Sequence, residues 1–151
     1  MKRFIPFVIA GLIATGAVAQ DAATETDAML FQAADMADLS EFRWKKRPVL
    51  VFADSADDPA FIEQLALLEA RAEALAERDV VVLTDTDPAA RSALRLKMRP
   101  RGFMLVLVGK DGGIKLRKPF PWDVREISRS IDKMPMRQRE IRDAKEAARD
   151  S

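Results

Sequence analysis

Five aspartates, Asp54, Asp57, Asp58, Asp85 and Asp87, and an arginine fork, Arg99-Pro100-Arg101-Gly102, are the residues of this chain best placed to do chemistry. Converging carboxylates bind hard divalent cations through oxygen. Asp54, Asp57 and Asp85 are the set that would do so, as a cation site or in a metal-assisted hydrolase. Two guanidiniums on a loop pinned by proline and freed by glycine make a fork for a carboxylate or phosphate. Ser55 offers a hydroxyl, but with no histidine in the chain nothing nearby activates it. The chain also lacks cysteine. Thiol–disulfide exchange, thiol peroxidase activity, nucleophilic catalysis by Cys or His, and structural zinc are therefore excluded. The sequence assigns no catalytic residue and no cofactor. Its candidate binding residues are Asp54, Ser55, Asp57, Asp58, Arg99, Arg101 and Phe103, and a metal enters only through the alternative set of Asp54, Asp57 and Asp85.

The elements that must position these residues are legible in the apolar pattern. Residues 48–53, P-V-L-V-F-A, form a short run rich in β-formers, as expected of a strand buried on both faces. Asp58-Pro59 then supplies an N-cap and a proline at the first helical position, and Phe61, Leu65, Leu68, Ala72 and Leu75 recur at helical spacing through residue 77. Residues 80–83 make a second apolar run, and Asp87-Pro88 repeats the cap-plus-proline device before a short helix through Ala93, Leu94 and Met98. Capping accounts for Asp58 and Asp87 without any ligand, and acidic groups favour helix N-termini in any case. Two strands joined by a helix imply a parallel pair. Residues 103–108 and 114–117, on either side of G-K-D-G-G, predict a β-hairpin. Asp123 and Glu126 have capping-box spacing ahead of a helix carrying Val124, Ile127 and Ile131, and residues 136–151 predict a charged helix on the surface or extending from it.

Lys2 and Arg3, an uncharged apolar stretch over residues 4–18, and Ala17-Val18-Ala19 have the order of a secretory signal peptide, with cleavage expected after Ala19. The stretch is shorter than the ~20 residues a spanning helix needs. No stable membrane insertion is expected after cleavage, and the protein is placed in the periplasm or outside the cell. Losing residues 1–19 leaves 23 basic against 24 acidic residues, so the exported chain is close to neutral. Residues 20–38 read as a flexible lead-in in which Met29, Leu30 and Phe31 dock at most locally. The parts are then a signal peptide (1–19), a lead-in (20–38), one α/β domain (39–134) and a charged C-terminal helix (135–151).

Charge falls in blocks. Residues 54–90 hold ten acidic residues against Arg71 and Arg78, while residues 91–118 hold nine basic residues against Asp111 alone. The blocks are expected to neutralise each other in space. Near-neutral charge and aromatics without a stacking pattern beside the basic residues argue against nucleic acid. Phe42, Trp44, Phe120 and Trp122 are expected to close the ends of a small core rather than to anchor a partner.

The order β-α-β-α-β-β-α resembles the thioredoxin fold over residues 47–133: a central mixed four-stranded sheet flanked by helices, with the charged helix following. On that likeness, Ala56 and Pro59 occupy the places of the two redox cysteines. More specifically, L-S-E-F-R-W-K-K-R-P-V-L-V-F-A (39–53), D-T-D-P (85–88) and R-G-F-M-L-V-L-V-G-K-D-G-G-I-K-L-R (101–117) resemble the bacterial family called domain of unknown function 4174. That family is similar to peroxiredoxin-like domains of animal sushi-repeat-containing matrix proteins. The resemblance implies a fold and an extracytoplasmic setting, with no catalytic residue. The expectation is a non-redox binding or adaptor module of the cell envelope, taking a protein partner or an acidic ligand.

Overall fold

The computed structural model describes residues 30–34 and 38–151. The signal peptide, its cleavage site and Met29 lie outside the described residues. In chain order the elements are β1 (Phe31–Ala33), β2 (Arg47–Phe52), α1 (Pro59–Glu69), α2 (Ala72–Ala76), β3 (Val80–Asp85), α3 (Ala93–Met98), β4 (Met104–Val108), β5 (Ile114–Lys118), α4 (Val124–Asp132) and α5 (Pro135–Arg149). Short 3₁₀ turns at Leu39–Phe42 and Pro88–Ala90 precede β2 and α3.

The strands form one sheet in the order β1-β3-β2-β4-β5. β2 and β3 run parallel with Val49 opposite Val82, while β2 and β4 are antiparallel with Leu50 opposite Val106. β4 and β5 make the expected hairpin, whose turn uses Gly112 at φ +83°. Every residue of β2 is buried, as a central strand covered on both faces requires.

Side chains alternate between two cores. Val49, Val51, Val82, Leu105 and Leu107 face α1, α2 and α4 through Phe61, Leu68, Leu75, Ile127 and Ile131. Leu50, Phe52, Val81, Leu83, Val106 and Val108 face the other way, toward Leu94 and Met98 of α3 and toward Leu39 and Phe42.

Three expectations are corrected. The sheet has five strands rather than four, because Phe31–Ala33 of the lead-in pairs in parallel with β3, Phe31 opposite Val82. Leu30 and Ala34 flank this strand and are 2% and 3% exposed, one in each core. A three-residue edge strand carries too little alternation to be read from sequence. The first helix breaks at Ala70 and Arg71, where Arg71 leaves helical geometry at φ −132°, ψ 37°. The aromatics divide: Phe42 and Trp122 pack against the cores, whereas Trp44 and Phe120 stand 62% and 53% exposed.

Leu30 tests whether the lead-in belongs to the folded unit. Leu30→Ala should lower unfolding stability by about 2–3 kcal/mol, as expected for truncating a fully packed leucine. Urea denaturation followed by circular dichroism measures it, and a loss near zero would show that β1 is dispensable.

Candidate functional site

The register brings the sequence-assigned residues to one end of the sheet. Phe52, at the end of β2, lies opposite both Asp85 at the end of β3 and Met104 at the start of β4. Residues 53–58, 86–92 and 99–103 therefore open on the same edge. Asp54, Ser55 and Asp57 are exposed, and Ser55 Oγ accepts the Asp57 N–H at 3.1 Å. Asp58 caps α1 by accepting the Ala60 N–H at 2.8 Å. Across the edge, Arg99 and Arg101 are exposed. Arg99 ends α3 in the left-handed region at φ +51°, its N–H bound to Arg95 O at 2.8 Å. Phe103 is 7% exposed and packs in the first core, so it supports the edge from beneath and is not a contact residue.

Beneath this edge lies a residue that sequence reasoning placed in a solvated basic block. Arg95 is 9% exposed, and its Nη2 donates to Ala53 O at 2.8 Å, Asp85 O at 3.1 Å and Asp85 Oδ1 at 2.9 Å. Ser92 Oγ donates to Asp85 Oδ2 at 2.5 Å, and the guanidinium sits 5.6 Å from the centre of the Phe52 ring. Burial pushes the Asp85 carboxyl up, but the bonds from Arg95 and Ser92 outweigh it and hold the group below its ordinary range. A signal was present: Asp85 continues the inward row Val81–Leu83, and a carboxylate at an inward position needs a buried partner.

This pairing corrects the metal alternative. Asp54 and Asp57 face solvent, whereas Asp85 is committed to Arg95 and Ser92, so the structure does not bring the three together. Among the described residues no group of three or more Asp, Glu, His or Cys side chains is placed to hold a metal ion.

The opposite end of the sheet carries a second buried guanidinium. Arg47 is 1% exposed and bidentate to Glu140 of α5, with Nη2 to Oε1 at 2.9 Å and Nη1 to Oε2 at 3.2 Å; Nη1 also donates to Arg78 O at 2.9 Å. Lys110 Nζ joins Glu140 at 2.7 Å and Asp79 at 2.8 Å. Burial opposes ionisation of Glu140, but the bonds from Arg47 and Lys110 prevail and draw its carboxyl down to about 2. The charged C-terminal helix is thus clamped to the sheet across the expected boundary at residue 134. Beside the clamp, between β5, α4 and the start of α5, lies a cavity of about 770 Å³ that Arg47 also lines.

With this geometry established, comparison with known proteins gives a family and a fold. The family described as Domain of unknown function (DUF4174) matches residues 38–140. The chain belongs to the DUF4174 family. Coiled-coil domain-containing protein 80 of Danio rerio is 27% identical to this DUF4174 protein over 133 residues, covering 68% of the chain; the chain spans 15% of that relative's length. The reduced 2-Cys peroxiredoxin of Plasmodium vivax superposes with a TM-score of 0.54 at 16% identity, over 68% of this chain and 85% of that one. The DUF4174 domain therefore has a thioredoxin-like fold. It carries that fold without any cysteine.

Two outcomes follow from the buried pairs. Asp85→Ala leaves the Arg95 charge buried and unpaired and should cost about 3–5 kcal/mol, the range for breaking a buried pair from one side. An Asp85→Ala protein with native stability in urea would show that Arg95 finds another outlet. The second outcome concerns pH. Glu140 ionises more readily folded, at about 2, than at its ordinary value of 4.5. As pH falls through this window the unfolded state takes up the proton first, so the Glu140 contribution is fully present above about 4.5 and is lost toward about 2. Denaturant midpoints measured down to pH ~2 should fall less steeply in Glu140→Gln, which starts from a lower stability at neutral pH.

Proposed function

We propose that this DUF4174 protein is an exported, non-redox module that binds a protein partner of the cell envelope through the edge formed by residues 54–58 and 99–101. The observation that carries the reading is the shared register of β2, β3 and β4, which sets an exposed acidic turn beside an exposed basic loop. Among the described residues no ion pair joins the two sets, so both charges remain available to a partner. The buried carboxylate at this edge, Asp85, is held ionised by Arg95 and is poorly suited to acid–base work. A rigid scaffold presenting fixed, opposite charges favours recognition, where such patterns set specificity and association rate. The signal-peptide order of residues 1–19 supports an envelope setting.

The test is affinity capture of the exported protein from a cross-linked cell-envelope extract, read by mass spectrometry beside Arg99→Glu/Arg101→Glu. Both arginines are exposed, so the variant should fold normally. A partner captured by the native protein should be depleted about tenfold or more with the variant, a loss of about 1.4 kcal/mol or more. Equal recovery of the same partner would remove the basic loop from the interface.

A further inference from the structure

We propose that the cavity between β5, α4 and α5 is a binding site for a single-chain anionic amphiphile, an acid group on an apolar body. The site lies at the opposite end of the sheet from the edge assigned to a protein partner, and it stands independently of that reading.

The apolar part of the wall comes from Leu116, Trp122, Met134, Pro135 and Met136. Its position is fixed from behind: Gln64 of α1, 0% exposed, donates to Trp122 O at 3.0 Å and accepts the Trp122 N–H at 2.7 Å. The polar part is almost wholly cationic. Asp111 is the only acid lining the cavity among the described residues, and it is paired with Lys115 at 3.0 Å. Lys110 and Arg47 are neutralised by Glu140 and Asp79. Lys118, Lys133 and Arg139 remain, and none has an acidic partner among the described residues. Lys118 Nζ rests 4.8 Å from the centre of the Trp122 ring, an arrangement that leaves its charge able to meet an anion.

Arg47 lines this cavity, and its Nε is the one buried side-chain nitrogen or oxygen among the described residues without a hydrogen bond. That nitrogen is itself shut away from the cavity surface, so Arg47 contributes wall here and a bound acid would meet the three cations above. Three cations without acidic partners and an apolar wall with an aromatic ring together specify a ligand with acid oxygens at one end and hydrocarbon at the other. The volume of about 770 Å³ suits a small molecule of that kind.

Dodecanoate is the probe. In a Trp44→Phe background Trp122 is the only tryptophan, and its emission should shift saturably as monomeric dodecanoate is titrated into the full exported chain. Lys133→Glu/Arg139→Glu should weaken that binding about tenfold or more, because both charges are exposed and unpaired and their reversal turns attraction into repulsion. Circular dichroism and the thermal midpoint of this variant should match the parent. Lys118→Met provides a separate variant that keeps the apolar wall. Dodecylammonium and inorganic phosphate should each bind at least about tenfold more weakly, since each lacks one half of the recognised chemistry. Any of four results overturns the proposal: no saturable response of Trp122, equal affinity in the charge-reversed variant, equal binding of dodecylammonium, or equal binding of inorganic phosphate. Binding to phosphatidylglycerol vesicles with no response to monomeric dodecanoate would replace the cavity with a membrane-surface contact and also overturn it.

Discussion

The end of the central strand is held by a guanidinium. Where β2 runs out, the carbonyl of Ala53 has no further ladder to join, and Arg95 reaches under the edge to take it together with the carboxylate and carbonyl of Asp85. At the other end of the same strand Arg47 is buried against Glu140 and the carbonyl of Arg78. Buried backbone groups must be paired, and a buried cation needs an acid. Those two requirements account for much of the charged sequence. The acidic block supplies Asp79 and Asp85 to Lys110 and Arg95 of the basic block, so part of the expected neutralisation takes place inside the fold rather than across its surface. With no cysteine to cross-link the chain, apolar burial around β2 and these closures at its ends hold the sheet together.

That arrangement also separates the two ends of the molecule by chemistry. At the β2 exit the buried carboxylate is consumed by structure, which leaves an exposed turn and loop of opposite sign above it. At the β2 entrance the cations are as buried but their acids are more exposed, and the hairpin and the C-terminal helix stand apart around a cavity whose cations exceed its acids. A thioredoxin-like scaffold without thiols thus retains two surfaces of different chemistry, one open and polar, the other concave and part apolar.

How much of this was legible depends on how local each signal is. The runs 48–53, 80–83 and 103–108 and the caps at Asp58 and Asp123 are local, and the strands and helix starts lie where those residues place them; Asp87, expected to open the helix through Met98, instead caps the 3₁₀ turn Pro88–Ala90, and Ser92 caps the helix itself. β1 escaped because only Phe31 of its three residues is even partly buried, and its existence depends on the parallel partner β3. Arg95 escaped because a basic block reads as solvated until Asp85 and Ala53 are known to lie beside it. The exposed edge could be assembled from sequence, since its loops follow strands whose order the fold dictates, and only Phe103 was placed on the wrong side of the surface. The cavity could not: Arg47, Leu116, Trp122 and Arg139 are joined by no spacing rule and meet only through packing.

The family match ends at residue 140, and Glu140 is the residue that closes the clamp on Arg47 and Lys110. Beyond it, α5 continues to Arg149 with Ile141 as its only residue that is not exposed. A helix of this length is marginal by itself in water, so its position follows from what its first half touches. Met134 packs on the core, Arg137 reaches Asp132 and Glu140, and Glu140 reaches Arg47; among the described residues no comparable ion pair holds the second half. Arg139 stands next to the clamped residue, and Lys133 lies just before Met134, the N-cap residue at which the helix begins. The cationic wall of the cavity is therefore positioned by the same carboxylate that neutralises the entrance of β2. The terminal helix is part of the domain as far as that carboxylate, because removing it would at once uncover a buried guanidinium and release one side of the cavity.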